Sequence, residues 1–346
     1  MRAAGVEILA EQSDLAVGGF LELAGSLSRI LRVWRRMTSA VDGQGFDLVI
    51  LVDSGGFNLP FSRRVRKRGR TPILYYVAPQ VWAWRPGRKR KIAARVDRLA
   101  VIHPFEVEAW ADTPLPAEFV GHPMSDALRA FRESNPPERA RARIGVEEDR
   151  PCVALLPGSR RNEVEYHLPV MLEASRLLHE SMPGVRFVVG LASSIERSRV
   201  ETLLRMAGLP RTLEVELVDD ETLCVLRAAS VALVKPGTVT MEALLLDTPM
   251  VVMGRAHPLT ALVLKRSLRI SWLAMPNLLA QKSIVPEYLQ EEAQPTVLAR
   301  ALESLLEGPE REAQQEAFAV VRESLGQGAE ANVSRIVEEM LESASA

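Results

Sequence analysis

Three clusters of residues have the types and spacing to do chemistry on a phosphorylated ligand. The first is the stretch CVALLPGSRRNEVEYHLP, where an apolar run ends in Pro157-Gly158-Ser159-Arg160 and a helical pattern starts near Asn162 and Glu163. A strand, a turn and a helix in this order aim main-chain N–H groups from the positive end of a helix at an anion. Arg160 adds a bidentate contact to phosphate. The same stretch also fits a plain strand–helix turn with a solvated arginine, and it is not a P-loop, since no Gly-Lys-Ser/Thr follows. The second cluster is VALVKPGTVTMEALLL. Here Lys235-Pro236-Gly237-Thr238 follows a strand, Thr238 or Thr240 is placed to cap the next helix, and Glu242 falls in its first turn, near where a ribose would project from a diphosphate. A first-turn acid that merely complements the helix dipole is the alternative. Ligands collect at the carboxyl ends of parallel strands, so two anion-competent turns in one α/β domain point to a nucleotide diphosphate.

The third cluster is Asp53-Ser54-Gly55-Gly56-Phe57-Asn58 at the end of the run FDLVILVD. A carboxylate there, followed by two glycines that permit close approach, is placed to act as a general base; a helix-capping or turn acid is the other reading. Downstream, residues 61–98 hold 13 Lys and Arg against one acid, Asp97, in a chain whose formal net charge is -1. Cations among Tyr75, Tyr76, Trp82 and Trp84, with Arg85 and Arg88 close by, suit an anionic membrane surface, a phosphorylated lipid or a nucleic acid. Residues 15–37 set apolar side chains at helical spacing and end in arginines, which fits an interfacial amphipathic helix or a core-packed one. His122 lies near the domain boundary, where it either acts or caps a helix. The five histidines show no metal-ligand spacing, so no metal is expected.

Short aliphatic runs must position these clusters. They lie at 46–53, 72–78, 98–103, 152–157, 186–192, 213–219, 231–236 and 249–254, alternating with helical patterns such as 170–182 and 240–246. The alternation predicts an α/β protein with doubly wound parallel sheets. The polar segment around Pro136-Pro137 sets a boundary, giving an acceptor- and membrane-facing domain over 1–135, a nucleotide-binding domain over 136–325 and a terminal helix over 326–346. The first convincing strand starts only at Phe46, so the first domain reads as truncated at its front. With 47% hydrophobic and 25% charged residues the chain is ordinary globular material. Cys152 and Cys224 lie in apolar runs, as buried thiols of a reduced compartment do. No run reaches the roughly 18 residues of a membrane span, and the N-terminus lacks a secretory pattern, so a cytoplasmic location is expected.

Taken together, Asp53-Ser54-Gly55-Gly56-Phe57-Asn58, YVAPQVWAWR, Pro104-Phe105-Glu106, Gly121-His122-Pro123-Met124-Ser125-Asp126, LLPGSRRNEV, GTVTMEALL and MPNLLAQKSIVPEYLQEE resemble lipid-A-disaccharide synthases over nearly the whole chain. The resemblance implies a GT-B fold, two Rossmann-like domains facing a cleft. It also implies an inverting hexosyltransferase of lipid A and lipopolysaccharide biosynthesis that works without metal or other cofactor. Its partners would be UDP-2,3-diacylglucosamine, 2,3-diacylglucosamine 1-phosphate (lipid X) and the anionic cytoplasmic face of the inner membrane, where it is peripheral; a homodimer is admitted and nucleic acid is not a partner. By the same resemblance Asp53 matches the family's proposed catalytic aspartate and Arg160 its important basic residue in the GSR turn. Gly158, Ser159, Gly237, Thr238, Glu242, Asn277 and Gln281 fall in UDP-sugar segments, and Trp82, Trp84, Arg85, Arg88 and His122 in the acceptor and membrane side. Two departures stand out: Gly55 and Gly56 replace the family's Pro and Asp, and Met1 aligns inside the first domain, so the opening Gly-Glu-x-Ser-Gly-Asp turn has no counterpart. The rival readings are another UDP-GlcNAc-type GT-B transferase or epimerase, and a truncated, non-catalytic lipid- or nucleotide-binding relic.

Overall fold

The computed structural model describes residues 4–11, 23–43, 45–69, 71–83, 86–258, 260–261 and 270–345. The chain forms two compact units, one of residues 1–102, 106–120 and 330–346, the other of residues 103–105 and 121–329.

The first unit is built on four parallel strands, β1 (Val49–Val52), β2 (Ile73–Tyr76), β3 (Arg98–Val101) and β4 (Ala117–Phe119), in the order β1-β2-β3-β4. Side chains alternate across the sheet. Ile73 and Tyr75 face a core with Phe61, Ile92 and Trp110, while Leu74 and Ala100 pack on Ile336 and Met340. Both faces are covered, as parallel strands require. The second cover is the C-terminal helix Ala329–Ser345, tied down by Asn332 Nδ2 donating to the Val120 carbonyl (3.0 Å) and by Arg98 to Glu339 (2.6 Å). The expected double winding is not present in this sheet among the described residues. A reversal needs strands beyond β1, and the element described ahead of β1 is the helix Leu23–Gly43. Among the described residues β1 is therefore an edge, with Ile50 and Val52 about half exposed (44% and 50%).

The second unit holds six parallel strands in the order β10-β9-β8-β5-β6-β7: β5 (Cys152–Leu156), β6 (Arg186–Leu191), β7 (Val215–Asp219), β8 (Val231–Val234), β9 (Met250–Gly254) and β10 (Glu287–Leu289). Chain order reverses at β5, which pairs with β6 on one side and β8 on the other. This sheet is doubly wound. Its central strands are buried on both faces, between a core around Leu156, Ala243 and Phe318 and another around Leu168, Phe187 and Leu302. Cys152 and Cys224 are buried free thiols.

All eight strands expected from the sequence form, and two three-residue strands, β4 and β10, escaped because so short a run has no readable period. The units part at Val120/Gly121 rather than at 135/136, because helix Pro123–Ser134 buries Leu128 in the core of the second unit. Among the described residues no helix is long and apolar enough to cross a membrane. The terminal helix should be essential to the first sheet: Ile336→Ala should cost about 2–5 kcal/mol in denaturant unfolding, whereas Val320→Ala, at a 69% exposed position, should stay within about 0.5 kcal/mol.

Candidate functional site

The two anion-competent turns follow β5 and β8, which are neighbours in the sheet at the strand-order reversal. That is where a doubly wound sheet opens a crevice. Gly158, Ser159, Lys235, Thr238 and Glu242 line one cleft there of about 230 Å³, with Leu156 and Gly190 as its floor. Four residues expected from the sequence thus converge, and Lys235, seen only as part of its turn, joins them. Gly158 has φ 132° and Gly237 has φ 143°, values open to glycine.

What joins the turns is Glu163, which sequence reasoning missed. Helix Arg161–Ser181 begins directly after the first turn, and Glu163 Oε2 accepts from the main-chain N–H groups of Ser159 (3.1 Å) and Arg160 (3.3 Å). Its Oε1 lies 3.1 Å from Arg160 Nη1 and 3.4 Å from Lys235 Nζ. Burial alone would raise this carboxyl, but Lys235, Arg160 and the Ser159 amide outweigh it and hold it below the usual carboxylate range. The amides assigned from the sequence to a diphosphate are thus already engaged by a carboxylate. The signal for it was an acid three residues after the turn, the spacing at which a side chain folds back onto a helix start. A further anchor is His167, buried in the same helix, whose Nδ1 is 2.7 Å from the Pro157 carbonyl and fixes the end of β5. Arg160 itself keeps 73% of its side chain exposed.

In the second turn the details differ from expectation. Helix Thr238–Leu245 starts without a side-chain cap; Thr240 Oγ1 instead donates to the Gly237 carbonyl (2.8 Å) and accepts from Met275 N–H (3.3 Å). Glu242 sits one turn in, not in the first turn. Burial raises its carboxyl above the usual range, and it has no hydrogen-bond partner among the described residues. It offers an acceptor to a hydroxyl. Asn277 is fully buried and fully used: Oδ1 accepts from Ile284 and Val285 N–H (2.7 and 2.8 Å), and Nδ2 donates to the Val285 carbonyl and Glu287 (2.9 and 2.7 Å). No side-chain group is left for a nucleotide, so Asn277 shapes the following loop. Gln281 is exposed in a left-handed conformation (φ 52°).

In the first unit Asp53 ends β1 with an exposed side chain and a pinned backbone. Its N–H donates to the Tyr76 carbonyl (3.1 Å), and its carbonyl accepts from Asn58 Nδ2 and Tyr75 Oη (both 2.7 Å). Asp53 (φ 45°), Ser54 (φ 42°) and, at the end of β2, Val77 (φ 55°) are all left-handed. Such non-glycine conformations cost about 1–3 kcal/mol each and gather at functional loops. Gly55 lies close to the next loop: a Cβ there would stand 3.1 Å from Pro79, a contact that asks the proline ring to give slightly. Helix Gly55–Arg68 then runs from the turn.

The remaining residues divide. Trp82 donates its indole N–H to buried Glu106 (2.9 Å), which also accepts from Ile102 N–H (3.2 Å), so it anchors the 77–83 loop. Arg88 is half-buried on a basic groove. Trp84 and Arg85 lie outside the described residues, as does the start of the amphipathic segment at 15–37. His122 is a cap: it is buried, and Nδ1 accepts from Met124 N–H (3.3 Å) at the start of helix Pro123–Ser134. Its ring lies 5.5 Å from that of His103.

Residues 1–340 match the family model described as lipid-A-disaccharide synthetase. The chain belongs to the lipid-A-disaccharide synthase family. It is 37% identical over 343 residues to the lipid-A-disaccharide synthase of Geobacter metallireducens, covering 99% of this chain and 87% of that one. To that of Anaeromyxobacter sp. strain K it is 40% identical over 331 residues, covering 94% and 84%. Among solved structures, a putative UDP-N-acetylglucosamine 2-epimerase from Listeria monocytogenes superposes with a TM-score of 0.62 at 15% identity over 92% of this chain and 80% of that one. The UDP-GlcNAc 2-epimerase of Neisseria meningitidis bound to UDP-GlcNAc gives 0.57 at 14%, over 92% and 81%. These likenesses show the fold, which is GT-B. As a member of this family the chain is a hexosyltransferase of lipid A biosynthesis, acting at its condensation step on lipid-linked sugars.

Burial holds the His122 imidazole at about 4, and burial together with His122 holds His103 at about 3. Both lie below the unfolded value of about 6.5, so the unfolded chain binds more protons in between. Stability should be fully present above about pH 6.5 and fall as pH drops towards 4, by a few kcal/mol. Thermal unfolding of wild type and His122→Asn between pH 7 and pH 4 checks this; the variant should be less stable at pH 7 and show a shallower acid loss.

Proposed function

We propose that this chain transfers 2,3-diacylglucosamine from its UDP derivative to 2,3-diacylglucosamine 1-phosphate and releases UDP, with inversion at the anomeric carbon. The observation that carries this is the convergence of Gly158, Ser159, Lys235, Thr238 and Glu242 on one cleft at the strand-order reversal of a doubly wound sheet. The cleft has what a nucleoside diphosphate needs: a half-buried cation in Lys235, two glycine turns that permit close approach, and in Glu242 an unpartnered acceptor for ribose hydroxyls.

Asp53 accepts the proton of the acceptor 6-hydroxyl as that oxygen bonds to the anomeric carbon and the bond from carbon to the diphosphate oxygen breaks. Its pinned backbone fixes the point from which the carboxylate reaches the substrate. Charge grows on the leaving diphosphate, and Lys235 and Arg160 offset it. Both cations are held by Glu163, which keeps them at the turn. Because both substrates are acylated, the enzyme works as a peripheral protein at the cytoplasmic face of the inner membrane; the basic balance of residues 61–98 supports this.

Asp53→Asn should lower kcat by at least about a hundredfold, the scale of general-base catalysis, while leaving UDP affinity within a factor of about two by calorimetry; near-normal turnover removes Asp53 from the base role. Lys235→Met should weaken UDP binding about tenfold or more, the worth of one hydrogen bond to a charged group, with a smaller salt dependence than wild type. Unchanged UDP affinity would place the diphosphate elsewhere.

A further inference from the structure

One groove of the first unit, the basic one on which Arg88 sits, has been given no ligand so far. It measures about 570 Å³ and runs along helix Gly55–Arg68, closed on its other side by residues 88–95 and at its back by Trp34. Six of its lining residues are cations (Arg63, Arg64, Lys67, Arg88, Lys91 and Arg95), and none is an acid. Two are already engaged, Arg64 with Asp42 and Arg95 Nη1 with the Leu59 carbonyl (3.0 Å). Arg63, Lys67, Arg88 and Lys91 have no acidic partner among the described residues. Arg63 and Lys67 stand one helical turn apart, and Arg88 and Lys91 face them three residues apart. Like charges at this spacing repel and destabilise the elements that carry them. Retaining them in a concave, partly apolar groove, with Leu59 and Pro60 on its wall, makes sense if an anion with an apolar body fills it.

The groove opens on Gly55 and Gly56, two and three residues after Asp53. A Cβ at Gly56 would meet nothing within 4 Å, so the mouth is open. We infer that this groove binds the phosphate monoester of the acylated acceptor, with Arg63, Lys67 and Lys91 on the phosphate and Trp34, Leu59 and Pro60 along the apolar part, one sugar ring from the hydroxyl that Asp53 deprotonates. The inference rests on the proposed transferase reading and deepens it. A monoester carries close to two negative charges near neutral pH, which matches several unpaired cations better than a diester headgroup with one. A flat membrane surface asks for a convex or planar basic patch, whereas this one is concave.

The test compares 2,3-diacylglucosamine 1-phosphate with its dephosphorylated analogue, both in neutral detergent micelles. For Arg63→Gln/Lys67→Gln and for Lys91→Gln, with folding checked by circular dichroism, affinity for the phosphorylated acceptor should fall roughly tenfold or more per removed contact. Affinity for the dephosphorylated analogue and for UDP should stay within about twofold, and the acceptor KM should rise while the donor KM holds. Equal loss for both acceptors, or unchanged acceptor affinity, overturns the inference. So does a loss confined to binding of phosphatidylglycerol vesicles, which would assign the groove to the membrane. Direct binding separates this from the catalytic reading: an active Asp53→Asn enzyme whose groove variants still lose the phosphorylated acceptor refutes the base and keeps the groove.

Discussion

A carboxylate held between two cations and two main-chain amides organises the second unit. Glu163 takes Ser159 and Arg160 N–H on one oxygen and Arg160 and Lys235 on the other, so the turn after β5 and the turn after β8 are one electrostatic object. The helix that carries Glu163 is long and its inner face is buried, so packing fixes the helix start from which the carboxylate makes these bonds. The arrangement satisfies the helix start, where bare amides and two unpaired cations would be costly. It also sets a condition on any diphosphate that enters: it must share or displace a resident anion.

The first unit solves a different problem. The proposed base, Asp53, stands at the end of a strand that is an edge among the described residues, where backbone is usually loose. Two side-chain donors on the Asp53 carbonyl and a main-chain bond to Tyr76 remove that freedom, and three left-handed residues on adjacent strand ends show the loops being held against their own preference. The hydrogen bond from Trp82 to Glu106 braces the neighbouring loop in the same way.

The sequence made the frame legible because parallel strands buried on both faces are written as unbroken aliphatic runs, and all eight such runs became strands. The glycine turns were legible through Gly158 and Gly237, whose positive φ few other residues tolerate. The pairing of acids with cations was less so. Glu163 is separated from Lys235 by 72 positions, and nothing local says that their turns are neighbours until the order β8-β5 is known. Asn277 shows the opposite error: a polar residue in a nucleotide segment reads as a ligand, yet its four bonds are spent inside the fold. His122, similarly, carries a chemically versatile ring that this structure uses as a cap.

The glycines of the two turns have one more consequence. A methyl group on Gly158 would stand 2.5 Å from the Glu163 carboxylate, and one on Gly237 would stand 2.8 Å from the Lys235 ammonium. Each glycine is thus crowded by the charged side chain of its own turn. The Lys235 ammonium is the end of a flexible chain and can swing aside, so at Gly237 it is the positive φ that closes the position, whereas at Gly158 the Glu163 Cβ at 2.7 Å adds to it; a library that diversifies the cleft should leave both untouched and spend its diversity on Thr238 and Ser159.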